Sequence, residues 1–198
     1  MSIQYKNNAY HEAGHAVVAH LVGLDCVQVA IQVRNGYCAF IEPPDLYLRL
    51  RSRDQGATSW AKAKAVMLAG GVEAESVLLR ARHIVGNQDD RGQIASLLAD
   101  INPAPEIDAP SHEWSLWQRK DQEMRRRIRR RARRLVVFAS AAISTLAEHL
   151  MEKRTIVGSE VIELIEPLLP AHQDWSMVGW LDCSSGILHQ GSVAQRIS

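Results

Sequence analysis

A chain of 198 residues with 46% hydrophobic and 23% charged residues is long enough for one substantial core, with or without an appended helical piece, and excludes two full enzyme domains. Its formal net charge of +1 hides a strong local asymmetry, and its three cysteines, Cys26, Cys38 and Cys183, are odd in number and lack C-x-x-C spacing. They read as buried thiols of a reducing cytosol and exclude a disulfide framework or a cysteine zinc site. No signal-peptide pattern precedes the first motif, and no apolar run reaches the roughly 20 residues of a spanning helix, so a cytoplasmic protein without a transmembrane segment is expected.

The first apolar periodic segment predicts a helix from about Asn8, capped by Asn7 or Asn8, to a stop at Gly23. It contains His11-Glu12-Ala13-Gly14-His15, an H-E-x-x-H pentapeptide. At 3.6 residues per turn, positions i and i+4 stack on one face, so both imidazoles reach one metal ion and Glu12 sits beside them. Two neutral imidazoles leave room for a third ligand and a water, which the metal acidifies and the carboxylate deprotonates. The small residues Ala13 and Gly14 let another helix or strand come close to the metal.

Cys26–Arg34 and Tyr37–Glu42 read as strands joined by Asn35-Gly36, a strong hairpin signal. A two-residue loop there places Val33 opposite Cys38 and Ile31 opposite Phe40. Val29, Ile31, Val33, Cys38 and Phe40 then share an apolar face that packs on the motif helix. Asp45–Ser59 reads as a polar loop. Helices are expected over about Trp60–Arg82, which contains the helix-unfavourable pair Gly70-Gly71, and over Gln88–Ile101. One long helix, Ser111–Lys153, and a short one, Ser159–Leu169, follow. The chain thus divides into a core at 1–101, a proline-rich linker at 102–110, a C-terminal helical part of the same domain at 111–170, and a tail at 171–198 whose order the composition does not fix.

The motif helix, the hairpin with Gly36-Tyr37, the stretch Leu68-Ala69-Gly70-Gly71-Val72-Glu73-Ala74-Glu75, and Gly86 to Asp90 together resemble the protease domain of the FtsH family of ATP-dependent zinc proteases. Leu146-Ala147-Glu148-His149-Leu150-Met151-Glu152-Lys153-Arg154-Thr155-Ile156, with Gly158 and Glu160, is similar to that family's closing helical segment, so the resemblance spans most of His11–Glu166. It implies a mainly helical fold with a small sheet, Zn2+ as cofactor, and an Asp as third ligand, which counting from Gly86 is Asp90. Asp89 is the alternative register, and Asp90 also fits a helix cap with Gln93 as partner. Glu75 matches the family's carboxylate after Gly-Gly, as a ligand, as a group that orients a histidine, or as an ordinary helix-face glutamate. Only ten residues precede His11, where the family carries its ATPase module, so the expectation is a stand-alone domain that cuts peptides or already unfolded chains, or receives them from a separate ATPase.

Between Arg119 and Arg134, ten of sixteen residues are Arg or Lys, around a narrow stripe of Met124, Ile128, Ala132 and Leu135. This is a surface helix. It is either a solvated face paired with carboxylates such as Asp121 and Glu123, or a docking surface, for which Arg126, Arg127, Arg130 and Arg131 are the candidates. No aromatic residue interleaves these arginines, so an acidic protein partner ranks above nucleic acid; homo-oligomerisation stays open. The expected function is a zinc metalloendopeptidase with His11, His15 and Asp90 on the metal, Glu12 as base, and an exposed hairpin strand that pairs with extended substrate. The alternative is a catalytically degenerate adaptor that keeps the metal site for stability. In the tail, Asp182, Cys183 and His189 are candidates for an inhibitory ligand.

Overall fold

The structure is a computed structural model and describes residues 3–32, 36–80 and 87–169. The 171–198 tail, Val33, Asn35 and Gly86 lie outside the described residues. Among those described, no single helix is long and apolar enough to cross a membrane.

Helix α1 spans Ile3–Leu21 and is the centre of the molecule: nearly every residue from Ala9 to Ala19 is buried, the motif included. A helix buried on all sides needs small residues where its neighbours approach, and α1 supplies Ala9, Ala13, Gly14, Ala16 and Ala19. It begins earlier than the expected Asn8, because Tyr5 packs on the core and its hydroxyl donates to the Met151 carbonyl. Asn7 is therefore a buried residue of the helix and not its cap. Gly23 ends the helix as expected. Its φ of 76° lets its N–H reach the His20 carbonyl and the Leu24 N–H reach that of Ala19, a Schellman closure.

Strands β1 (Cys26–Ile31), β2 (Gly36–Phe40) and β3 (Thr155–Val157) form an antiparallel sheet in the order β2-β1-β3. The expected two-residue loop is incorrect: Ile31 pairs with Gly36 and Val29 with Cys38, so Gly36 belongs to the strand. The slip is an even number of residues along the ladder, which leaves Val29, Ile31, Cys38 and Phe40 on one face, packed toward α1. Cys26 and Cys38 are half-buried, unlike the sealed thiols expected, because they lie near the sheet's rim. Three-residue β3 gave no alternation to read; it exists because β1 offers it a ladder from Gln28 to Ala30.

The expected loop at 45–59 is largely helical: α2 covers Leu46–Arg51 and buries Leu46 and Leu50, one helical turn apart. Helix α3 (Gln55–Ala74) then starts earlier than Trp60, with the Asp54 carboxylate accepting from the Ala57 N–H at 2.6 Å, and continues into a π-helical turn, Glu75–Leu79. Helix α4 runs over Asn87–Ile101, close to expectation. The expected long helix is two, α5 (Ser111–Phe138) and α6 (Ser140–Lys153), bent by 79° at Ala139. The bend lets α5 pack on α3 and α6 on α1, and buries Val136, Ala139 and Ile143 around it. Helix α7 (Gly158–Ile165) and a 3-10 turn at Glu166–Leu168 close the described chain. One apolar core thus joins residues on both sides of the 102–110 segment, and the fold is mainly helical with a small sheet.

Candidate metal centre

Helices α1 and α3 cross at glycines. A Cβ on Gly14 would lie 2.6 Å from that of Ala74 and 2.8 Å from the Gly70 carbonyl oxygen, and one on Gly70 would lie 2.9 Å from Val18 Cγ2. This close approach answers why a helix should carry Gly70-Gly71. Gly71 serves the histidines directly, since a Cβ there would stand 2.6 Å from His15 Cε1 and 2.9 Å from His11 Nε2. The freed space lets His15 lie against the α3 backbone, where its Nδ1–H donates to the Met67 carbonyl at 2.9 Å.

His11 is held from the other end of α3. Its Nδ1–H donates to Glu75 Oε1 at 2.5 Å, at the start of the π-helical turn. With both Nδ1 atoms engaged, the two Nε2 atoms face each other at 2.9 Å. Asp90, in the first turn of α4, brings Oδ2 to 3.0 Å from His11 Nε2 and 3.4 Å from His15 Nε2. The three residues form a buried group that could hold a metal ion. Asp89 is exposed, and Asp90 has its carboxylate on the histidines and inside a helix that begins at Asn87, so it is not the helix cap. Glu75 lies behind His11, at the nitrogen opposite to the one that faces Asp90.

The charges explain one another. Burial opposes a positive His11, but its hydrogen bonds to Asp90 and Glu75 and the charges of Glu12 and Asp90 outweigh it and push the pKa up to about 10. Burial likewise opposes a negative Asp90, and the two histidines overcome it, holding the carboxyl well below the usual carboxylate range. The carboxylates that would draw a cation into the group thus also favour a proton on His11.

Glu12, 6% exposed, lies under β2: a Cβ on Gly36 would come within 2.5 Å of its Cγ and 2.8 Å of its Oε1. Glycine at this strand position lets the backbone pass directly over the carboxylate. Burial raises the pKa of Glu12 and the histidine charges only partly offset it. His11, Glu12, His15 and Asp90 open onto a cavity of about 600 Å³, one wall of which is β2 from Gly36 to Phe40. Among the described residues β2 is an edge strand, and its side facing away from β1 has no strand partner there.

The arginine run divides into parts. Arg127 and Arg130 both donate to Glu123 Oε1, at 2.8 and 3.2 Å, Arg126 is exposed, and Arg131 is half-buried. Arg129 and Arg133 reach back to Glu73, a carboxylate only 1% exposed on α3, at 2.7 and 3.2 Å. A buried charge needs such partners, so these two arginines help to fix α5 on the helix that carries Gly71. No arginine appears among the described residues that line the cavity. Sequence reasoning missed the Met67 carbonyl, Gly36 above Glu12 and the Glu73 ion pairs; only Glu73, a charge inside an Ala- and Gly-rich helical run, left a signal.

Gly71→Ala separates metal binding from folding. Alanine favours a helix interior over glycine by about 1 kcal/mol, so helix content should hold, while the new methyl group displaces the His15 ring. Metal content should fall well below that of the parent with far-ultraviolet circular dichroism unchanged; full occupancy would show that the crossing relaxes more easily than this geometry implies. Comparison with family models and with curated proteins returns no match for the chain.

Proposed function

We propose that the chain is a zinc-dependent metallopeptidase whose centre works in the manner of the FtsH protease domain, on peptides or already unfolded chains. The observation that carries this reading is the convergence of His11 Nε2, His15 Nε2 and Asp90 Oδ2, mutually 2.9–3.4 Å apart, beside the buried Glu12. Ligands at roughly 2.0–2.1 Å in a tetrahedron stand about 3.3 Å from one another, so the spacing of the three donors fits zinc, which His11, His15 and Asp90 would hold. Bound there, the ion would supply Lewis acidity toward a scissile carbonyl and toward water.

The chain's own residues supply the rest. Glu12 takes the proton of the attacking water and passes it to the leaving amine as the C–N bond breaks; burial raises its pKa above that of an ordinary carboxylate, which strengthens it as a base. Glu75 and the Met67 carbonyl fix the ring orientations of His11 and His15 and leave both Nε2 atoms free to hold a metal ion together with Asp90. The free edge of β2 would align an extended chain over Glu12 by main-chain hydrogen bonds. The adaptor alternative, with an acidic partner on Arg126, Arg127, Arg130 and Arg131, leaves Glu12 without a role although burying it costs stability.

The test is metal analysis of the purified protein together with digestion of casein and a peptide library. Close to one zinc per chain, and cleavage that stops with chelator and returns with zinc, is expected. Metal-free protein that cannot be loaded, or cleavage indifferent to chelator, would overturn the proposal.

A further inference from the structure

Cys26 and Cys38 lie outside the metal group, with their sulfurs 3.4 Å apart across the β1–β2 ladder. In a regular ladder they would not meet. Cys38 pairs with Val29, and a residue three positions before Val29 belongs to the opposite face of the strand. The irregularity between Cys26 and Gln28 inserts one residue, so Cys26 pairs with Phe40 and shares the face of Cys38. The bulge is backed by α7, where the backbone of Gly158 lies so close to the Cys26 carbonyl that no Cβ fits. Both thiols are half-buried, and Cys38 stands in the cavity wall, on the strand that passes over Glu12.

The two sulfurs differ in reactivity. The hydrogen bond from the Cys38 thiol lowers the pKa of Cys26, which makes Cys26 the nucleophile. Burial raises Cys38, which keeps its proton until it attacks in turn.

We propose that Cys26 and Cys38 are a redox-active pair that closes to a disulfide between β1 and β2, and that closure lowers turnover at the neighbouring centre. The oxidant is hydrogen peroxide. The Cys26 thiolate attacks one peroxide oxygen, the O–O bond breaks, and the hydroxide released takes up the proton that Cys26 gave off, leaving a sulfenic acid. Cys38 then attacks the Cys26 sulfur, the S–O bond breaks, and the departing hydroxide takes the Cys38 proton. Two thiols and one peroxide become one disulfide and two waters; a dithiol reverses the bond by two exchange steps. An S–S bond of about 2.05 Å draws the sulfurs together by more than 1 Å and restrains the strand over Glu12. The effect on turnover rests on the peptidase reading, whereas the disulfide does not.

The experiment exposes the full, metal-loaded chain briefly to hydrogen peroxide and reads intact mass, peptide maps, hydrogen exchange and peptide hydrolysis. A Cys26–Cys38 cross-link with the loss of two hydrogens, reversed by dithiothreitol, is expected, with β1 and β2 amides exchanging roughly tenfold slower in the oxidised form. Hydrolysis should fall roughly ten- to hundredfold and return on reduction. Cys26→Ser, with unchanged turnover before exposure, should form no link and keep its turnover. Absence of the link, a sulfinic acid on Cys26, or a link that uses Cys183 overturns the redox pair. A link with unchanged turnover overturns the control. A chain inactive in both redox states fails the peptidase reading and the control together, while mass and exchange still decide the disulfide.

Discussion

Glu12→Gln should keep the metal and the fold and lose peptide hydrolysis by roughly 10²- to 10⁴-fold, the share of rate that a positioned acid–base group supplies. The side chains are isosteric, which matters here because the β2 backbone at Gly36 leaves no spare volume above Glu12. The amide cannot accept the water's proton, yet it removes nothing from the histidine and aspartate donor set. It also removes a buried negative charge that its surroundings only partly compensate, so the metal-free variant should melt at or above the temperature of the parent. Turnover, metal content and melting temperature measured together give a pattern that a damaged fold cannot imitate. Turnover equal to the parent's at equal metal content would remove Glu12 from the role of base.

Much of this centre was legible because the chemistry is local. H-E-x-x-H needs only helical spacing, and the α1 stop at Gly23 needs only a glycine after an apolar run. The Gly70-Gly71 pair signalled a close contact without naming its partner; the partner is α1 at Gly14 and the histidine rings, which no spacing within α3 encodes. The hairpin faces were legible and the register was not. Asn35-Gly36 looks like a two-residue turn, but Gly36 is needed opposite Ile31, where a side chain would collide with Glu12. Tertiary contact overrode turn propensity there, as it did at Ala139, where α5 and α6 turn to follow two different neighbours through a sequence with helical periodicity on both sides. The Cys26–Cys38 approach was invisible for a related reason: a β-bulge changes which face a residue occupies, and the alternation of apolar residues does not report it.

His15→Ala and Asp90→Ala should each abolish high-affinity metal binding, whereas Asp89→Ala should leave it intact and Glu75→Gln should weaken it by about 10- to 100-fold. The ordering follows from position. His15 and Asp90 each contribute an atom to the triangle around which a cation fits, and losing either leaves two donors. Asp89 is exposed one residue away, on a helix whose first turn has already directed Asp90 inward. Glu75 acts through His11: a glutamine oxygen still accepts the Nδ1 hydrogen bond and holds the ring, but a neutral amide no longer raises the basicity of Nε2. Zinc titration against a chromophoric chelator at fixed pH separates the three behaviours, because protons compete with the metal at His11 and the carboxylates of Asp90 and Glu75 strengthen that competition. Loss of zinc in Asp89→Ala with none in Asp90→Ala would mean that α4 rotates when the ion binds. Abolition in Glu75→Gln as complete as in Asp90→Ala would make Glu75 a direct ligand and require the His11 ring to turn away from it.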